Sequence, residues 1–384
     1  MGHNVRKLIS PSLVLGVALS VYFLGVVSRF PILGYRFDRQ LLTRYLCSQD
    51  IPQQPPCVRT FLSDSEIHIA AGFLYAVGAD PQTYNFQHPP LVKYGYGLSA
   101  ILTGNPLLFQ ATLGVGIIVA VYLLSRLMFG GETLAAGTTI LFAADPLTHN
   151  VGAYAMLDLG QTLFFIIFVW LALSKRSPFI VGVFFGLSCA SKYWTTPALC
   201  SLPVIAYWIL EYQKDTWKRT FIFAGVALAV VTLSYGSSFV QGLTPLDFAK
   251  FQLRILKYWI QHTTSVESSP GALVFLYLTG WYQQWWGARL WGHVREWSFL
   301  WTVSVVGVIT ALVTRRTLQW VTCAGIVGLF FVVTLRQTPS ARYIYFVLPF
   351  VHLFFVRGTS DLVLAFMRRF DIMSSSAKIR LKRD

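Results

Sequence analysis

The stretch PLVKYGYGLSAILTG, Pro90 to Gly104, decides the topology of this chain. It is apolar but short, and Pro-Pro on one side and Gly-Asn-Pro on the other bound it. A spanning helix needs about 20 apolar residues, so the segment is read as a re-entrant or surface helix. Ten other apolar runs are read as spans: Leu8–Phe30, Leu107–Met128, Leu134–Pro146, Leu157–Leu173, Phe179–Ala190, Pro197–Leu210, Phe221–Val240, Trp297–Val313, Trp320–Leu335 and Tyr343–Val356. With that count, Arg6 and Lys7, Arg126, the Lys175-Arg176 pair, Lys214, Lys218 and Arg219, the Arg315-Arg316 pair and the tail from Arg368 to Lys382 share one side. Counting Pro90–Gly104 as a span would turn the later pairs outward. The positive-inside rule selects the first arrangement. It puts both termini inside and the long loops 31–88 and 241–296 outside. The basic start and long apolar run at the N-terminus are read as a retained first helix, because no small-residue cleavage site follows.

Composition agrees. Of 384 residues, 55% are hydrophobic and 12% charged, and the mean hydropathy is +0.56. Soluble domains carry roughly 25% charged residues. The expected class is therefore an all-α polytopic membrane protein of about ten to eleven spans, with juxtamembrane helices in the first outer loop. Aromatic residues make up 16%, as many membrane interfaces require. The net charge of +15 is assigned to cytoplasmic loops and to contacts with anionic lipid or phosphate, not to nucleic acid. Of the five cysteines, Cys47 and Cys57 flank a Pro-rich loop, and a disulfide between them is left open, permitted if the loop faces an oxidising compartment. Cys189, Cys200 and Cys323 lie in apolar runs as packing residues. The chain divides into a module of residues 1–240, the second outer loop 241–296, terminal spans 297–357 and a basic tail 358–384.

Polar chemistry gathers in the first outer loop, at FLSDSEIHIAAGFLYAVGADPQTYNFQHPPLVK, Phe61 to Lys93. Ser63-x-x-Glu66 fits a capping box, and Asp64 then sits in a first turn that favours an acid. Asp64 and His68 share a helical face at i, i+4, while Glu66 points elsewhere. The two acids compete for the role of general base. Asp64 is expected to take it, with His68 orienting it and Glu66 shaping the loop, since a carboxylate held by backbone N–H groups is a weak base. His88-Pro89-Pro90 fixes an extended turn that presents Lys93. Asp158 opens a span at its outer end. Cations that the topology leaves on the outer side, among them Lys93, Lys192, Arg254, Lys257, Arg336 and Arg342, include some set tight against apolar runs. A cation there requires an anionic partner, and a lipid-linked phosphate supplies one. Asp145 and His149 match no metal-ligand spacing. Leu273 to Trp291 carries Trp285 and Trp286, read either as an interfacial aromatic belt or as the wall of an acceptor groove or lipid guide.

The order of these motifs resembles the protein O-mannosyltransferase family, within the polytopic, lipid-phosphate-dependent glycosyltransferases of GT-C type. The matching pieces are DSEIH (Asp64 to His68), HPPLVK (His88 to Lys93), Leu157-Asp158, GLSCASKYW (Gly186 to Trp194) and RYIYFVLP (Arg342 to Pro349). The likeness covers residues 1 to about 240 well and the rest loosely. The family shows adjacent Asp-Glu where this chain has Asp-Ser-Glu, so Glu66 takes the aligned place and Asp64 is displaced by one. The resemblance implies a GT-C helix bundle and an inverting, single-displacement transfer of mannose. The donor is a polyprenyl-phosphate sugar and the acceptor a Ser or Thr hydroxyl of an exported protein or peptide. It implies an extracytoplasmic site on a prokaryotic plasma membrane, because loop 241–296 has no room for the soluble domain of eukaryotic members. Donor contacts fall to His88, Lys93, Asp158, Lys192 and Arg342. No cofactor is required by this chemistry, and a divalent metal is left open. Two other readings stand beside it. One is a same-class transferase with a lipid or glycan acceptor, as in aminoarabinose transferases. The other is a transporter, disfavoured because the ionisable residues gather at outer ends and not mid-span.

Overall fold

Ser10 caps the first helix by accepting from the Leu13 N–H at 3.2 Å, Pro11 occupies its first turn, and extended Phe30 ends it before Pro31, giving α1 (Pro11–Arg29). One stripe of α1, Val14, Ala18, Tyr22 and Val26, is buried at four-residue spacing. Apolar side chains on its other faces, such as Leu24, are exposed, which a helix tolerates where lipid surrounds it. The computed structural model describes residues 10–51, 57–265, 269–284, 290–314 and 317–380.

Short helices α2 (Gln40–Leu46) and α3 (Asp64–Ala76) follow in the first loop, and α4 (Leu91–Thr103) comes directly after it. Helices α3 and α4 pack backbone to backbone. A Cβ added to Gly97 would lie 1.9 Å from the Gly72 carbonyl oxygen, and one on Gly72 would lie 2.1 Å from that of Lys93. Only glycine permits that approach. Gly104, at φ 70°, ends α4 in the left-handed conformation. The Pro90–Gly104 stretch thus closes on itself after 13 helical residues, too few to cross a bilayer.

Next come α5 (Leu107–Phe129), α6 (Glu132–Ala144), α7 (Pro146–Ala153), α8 (Leu157–Leu173), α9 (Pro178–Ser191), α10 (Thr195–Cys200), α11 (Leu202–Tyr212), α12 (Thr216–Ser234) and α13 (Gly236–Val240). Helix α8 is the hub: Phe165, Ile166, Phe168 and Val169 are all fully buried, on successive sides of it. It packs on α5 and α9, and α9 packs on α12. The second loop holds α14 (Pro245–Ser265), α15 (Ala272–Thr279) and an antiparallel strand pair, β1 (Trp281–Gln283) and β2 (Trp291–His293). Then follow α16 (Phe299–Thr314), α17 (Leu318–Val333), the single turn α18 (Ala341–Ile344) and α19 (Leu348–Arg380).

Among the described residues, four stretches are long and apolar enough to cross a membrane: α1, α5, Thr195–Ser234 and Leu348–Met367. Helices α7 and α8 together make a fifth, bent by 117°. Helices α6, α9, α16 and α17 are apolar but shorter. The ten runs of the sequence exceed the four or five spans set by length and composition. Several of those runs are half-length helices: the run read as Leu134–Pro146 is the short α6, and the run read as Leu157–Leu173 reaches spanning length only with α7, across the bend. The chain is a multi-pass membrane protein, mostly helical, with a small strand pair, Trp281–Gln283 and Trp291–His293, that apolar runs alone do not announce.

Candidate active site

The site begins at the N-terminus of α3. Ser63 Oγ accepts from the Glu66 N–H at 3.3 Å, while Glu66 Oε2 accepts from the Ser63 N–H at 2.9 Å and from its hydroxyl at 2.8 Å. This is the capping box the sequence predicts. Arg44 adds an ion pair at 3.1 Å. Burial pushes the Glu66 carboxyl up, but the Ser63 hydrogen bonds and Arg44 outweigh it and hold the pKa below its usual value. Glu66 is thereby occupied as a scaffold, and it does not line the cavity described next.

That cavity has a volume of about 510 Å³. Asp64, His68, His88, Asp158, Lys192 and Arg342 all line its polar part. Leu256, Ile260, Phe330, Val333 and Phe346 line an apolar part. Four separate parts of the chain bring the charges together. Asp64 is the first residue of α3, and Arg342, on α18, donates to its Oδ2. Lys192 caps the C-terminus of α9 and donates to Asp158 Oδ1 in the first turn of α8. The α8–α9 pair is pinned there, because Gln161 donates to the Tyr193 carbonyl at 3.1 Å and Ser188 donates to the Gln161 carbonyl at 2.9 Å. The Tyr343 ring lies between the cations, 5.2 Å from Lys192 Nζ and 5.4 Å from the Arg342 guanidinium carbon.

The electrostatics follow from this placement. Burial raises the Asp64 pKa, yet Arg342, His68 and Lys192 overcome it and leave the carboxyl below its ordinary value. Burial also raises the Tyr343 pKa, and Arg342 and Lys192 bring it below normal. The Arg342 Nε is buried with no hydrogen-bond partner among the described residues.

The histidines depart from expectation. His68 Nδ1 donates to the Ala155 carbonyl at 2.8 Å, at the break between α7 and α8. Ser65 Oγ accepts from the Ala155 N–H at 2.9 Å, so the bend docks on α3 from both sides. His68 therefore holds the bend, and Arg342, not His68, orients Asp64. Burial lowers the His68 pKa to about 4 and takes His88 well below its usual value. Buried His88 Nδ1 has no partner among the described residues. Its ring lies 5.1 Å from that of Trp259.

Lys93 departs further. It is fully buried and does not line the cavity. Its ammonium donates to the His88 carbonyl at 2.7 Å, the Asn85 carbonyl at 2.8 Å and Asn85 Oδ1 at 3.0 Å, with Tyr75 Oη at 3.2 Å. An ammonium has three protons, and protein oxygens take all of them. The HPPLVK turn delivers His88 to the cavity and keeps the lysine as its staple. Trp285 and Trp286 lie outside the described residues.

Other residues that reach the cavity escape motif reading. Asp50 lines it from within the loop closed by the Cys47–Cys57 disulfide. Its carboxylate accepts from Tyr45 at 2.6 Å, Asn85 at 2.9 Å and Gln87 at 2.8 Å. Gln337 comes from the α17–α19 connection. Trp259 comes from α14 and donates its indole N–H to the Gln87 carbonyl at 2.9 Å. The amphipathic pattern of α14 was the available signal for Trp259, whereas a lone Asp50 or Gln337 carries none. A second cavity, of about 470 Å³, includes Asn150, Tyr282, Arg295 and Glu296 in its lining and meets the first at Arg342 and Tyr343. Among the described residues no group of three or more His, Cys, Asp or Glu side chains is arranged to hold a metal ion.

Comparison with known proteins places this geometry. The family model of dolichyl-phosphate-mannose-protein mannosyltransferases matches residues 87–236, an interval that holds His88, Lys93, Asp158 and Lys192 but neither Asp64 nor Arg342. No curated protein sequence matches the chain. Among solved structures, ArnT from Cupriavidus metallidurans bound to undecaprenyl phosphate superposes with a TM-score of 0.60 at 16% identity, over 91% of this chain and 59% of that one. The archaeal oligosaccharyltransferase AglB from Archaeoglobus fulgidus, in complex with an inhibitory peptide and a dolichol-phosphate, superposes with a TM-score of 0.54 at 13% identity, over 94% of this chain and 52% of that one. The chain thus spans little more than half the length of these neighbours. It carries the GT-C membrane fold that ArnT and AglB share, and its residues 87–236 match the dolichyl-phosphate-mannose-protein mannosyltransferase family.

Proposed function

We propose that the chain is a membrane glycosyltransferase that moves a sugar, mannose in the first instance, from a polyprenyl-phosphate donor to a Ser or Thr hydroxyl of an exported protein. The observation that carries this reading is the pairing of Asp64 with Arg342 in one cavity with Lys192, beside an apolar lining. A donor of this class has a lipid tail, a phosphate and a sugar. The apolar part suits the first isoprene units, and Arg342 and Lys192 suit the phosphate.

The reaction is a single displacement. The acceptor oxygen attacks the anomeric carbon, and the bond from that carbon to the phosphate oxygen breaks. The electron pair leaves with the lipid phosphate, and Asp64 takes the hydroxyl proton. Positioned cations stabilise the departing phosphate in a water-poor site, and the base supplies proton transfer. Arg342 links the two tasks. While it holds Asp64, the carboxylate is a weak base. A donor phosphate competes for the guanidinium, including its unpartnered Nε, and so strengthens the base as the donor seats. The acceptor approaches through the second cavity, which meets the first at Arg342. Loops 31–88 and 241–296 then face outside, on the extracytoplasmic side.

Incubating purified protein with polyprenyl-phosphate mannose and peptides of exported proteins, then reading product mass, tests the assignment. A peptide heavier by one hexose supports it. Transfer only to a lipid or glycan acceptor would keep the class and reject the protein acceptor. No transfer from any polyprenyl-phosphate sugar would reject the reading.

A further inference from the structure

Helix α14 presents three stripes. Phe248, Phe251 and Ile255 are buried against the protein. Leu246, Leu253 and Ile260, seven residues apart, form a second stripe and are 65%, 64% and 56% exposed. Lys250, Arg254 and Lys257 form a third, all exposed. With 3.6 residues per turn, the apolar stripe lies nearly opposite the buried one, and the basic stripe lies on the flank between them. Lys250 touches Asp247 at 3.4 Å, and Arg254 lies 5.3 Å from the Phe86 ring and 5.0 Å from the Phe251 ring. Neither contact neutralises the stripe, whose three cations meet one carboxylate among the described residues. Arg254 and Lys257 are among the outer-side cations for which the proposed reaction has no use.

We propose that α14 lies in the membrane interface and that its basic stripe binds the anionic headgroups of phospholipids. Water alone would leave three large aliphatic side chains exposed in a row. Hydrocarbon alone would bury three cations. Only the boundary between acyl chains and headgroups satisfies both stripes at once, and a positive stripe there is complementary to anionic lipid. A two-fold copy of the same face would set like charges against each other. The same helix places Leu256, Trp259 and the last residue of the apolar stripe, Ile260, at the cavity wall, so the lipid contact fixes one side of the site. The proposal stands apart from the transfer reaction, and no transfer assay enters its test.

The three free cysteines are buried, so a nitrobenzoxadiazole label on Leu253→Cys in the full chain reports this position. The protein is placed in nanodiscs of phosphatidylcholine, alone or mixed with phosphatidylglycerol. Label emission is read, and native mass spectrometry reads the lipids the protein retains. The expected result is blue-shifted emission in both discs, with phosphatidylglycerol retained over phosphatidylcholine on the order of tenfold. Lys250→Gln, Arg254→Gln and Lys257→Gln combined should bring retention to parity, and Lys257→Gln alone should give an intermediate value with an unchanged melting temperature. Aqueous emission in both discs, or undiminished phosphatidylglycerol preference in the triple variant, would overturn the proposal. So would a label shielded only in particles that hold two copies of the chain.

Discussion

Lys93→Met separates a staple from a phosphate ligand. Methionine keeps the length and apolar character of the lysine stem up to Cε, so the change removes the ammonium and little else. Three oxygens at 2.7, 2.8 and 3.0 Å then lose their donor. Each buried acceptor left unpaired costs about 1–3 kcal/mol, and relief from burying the charge returns part of the sum. The expected net loss is about 3 kcal/mol, or roughly 5 °C in a chain of this size. Thermal unfolding in detergent reads the loss, and hydrogen exchange should rise first at Asn85 to His88. Donor affinity should fall less than about threefold, whereas Lys192→Met should weaken it tenfold or more, as loss of a charge-assisted bond implies. A Lys93→Met protein with native melting and native exchange, but donor binding weakened tenfold, would refute the reasoning.

Three further outcomes are expected. Arg342→Gln removes the counter-ion that keeps the Asp64 pKa low; since the base must be ionised, the acid limb of kcat/KM, expected below the ordinary carboxylate range in the parent, should move to higher pH while donor affinity falls. Gly97→Ala puts a methyl 1.9 Å from the Gly72 oxygen and should cost about 1–3 kcal/mol or more in a melting experiment, whereas Gly137→Ala, with nothing within 4 Å, should be neutral or stabilising by up to about 1 kcal/mol. Cys47→Ser together with Cys57→Ser opens a loop with a sequence separation of 10 residues and should cost roughly 2–3 kcal/mol, with exchange rising at Asn85 and Gln87, which Asp50 holds.

The sequence displays the parts of this fold that local patterns encode. The apolar runs, the Ser63–Glu66 capping box and the half-length Pro90–Gly104 helix are all visible in it. The polar cluster is also legible: Asp64, His68, His88, Asp158, Lys192 and Arg342 come from five stretches, and all reach one cavity. Partner choice is not legible, because it is set by long-range packing. Nothing near Lys93 in sequence says that the Asn85–His88 backbone will fold over its ammonium. The i, i+4 spacing of Asp64 and His68 is real, but the bend at Ala155 lies 87 residues away from His68 and captures the imidazole. Trp259 hides in a polar loop until the three stripes of α14 are counted. The strand pair of Trp281–Gln283 and Trp291–His293 is too short for period-two reading.

In the proposed transfer Asp64 is the base and Glu66 its scaffold, and Asp64→Asn tests these roles head on. Turnover of polyprenyl-phosphate sugar by the variant should fall about 10²–10⁴-fold, the usual loss on removing a general base. Donor affinity should hold or tighten, because Arg342 loses its competing carboxylate. Glu66→Gln should keep most turnover and lower the melting temperature, since its capping bonds are worth about 0.5–2 kcal/mol. Full turnover by Asp64→Asn, beside a folded but inactive Glu66→Gln, would contradict the account.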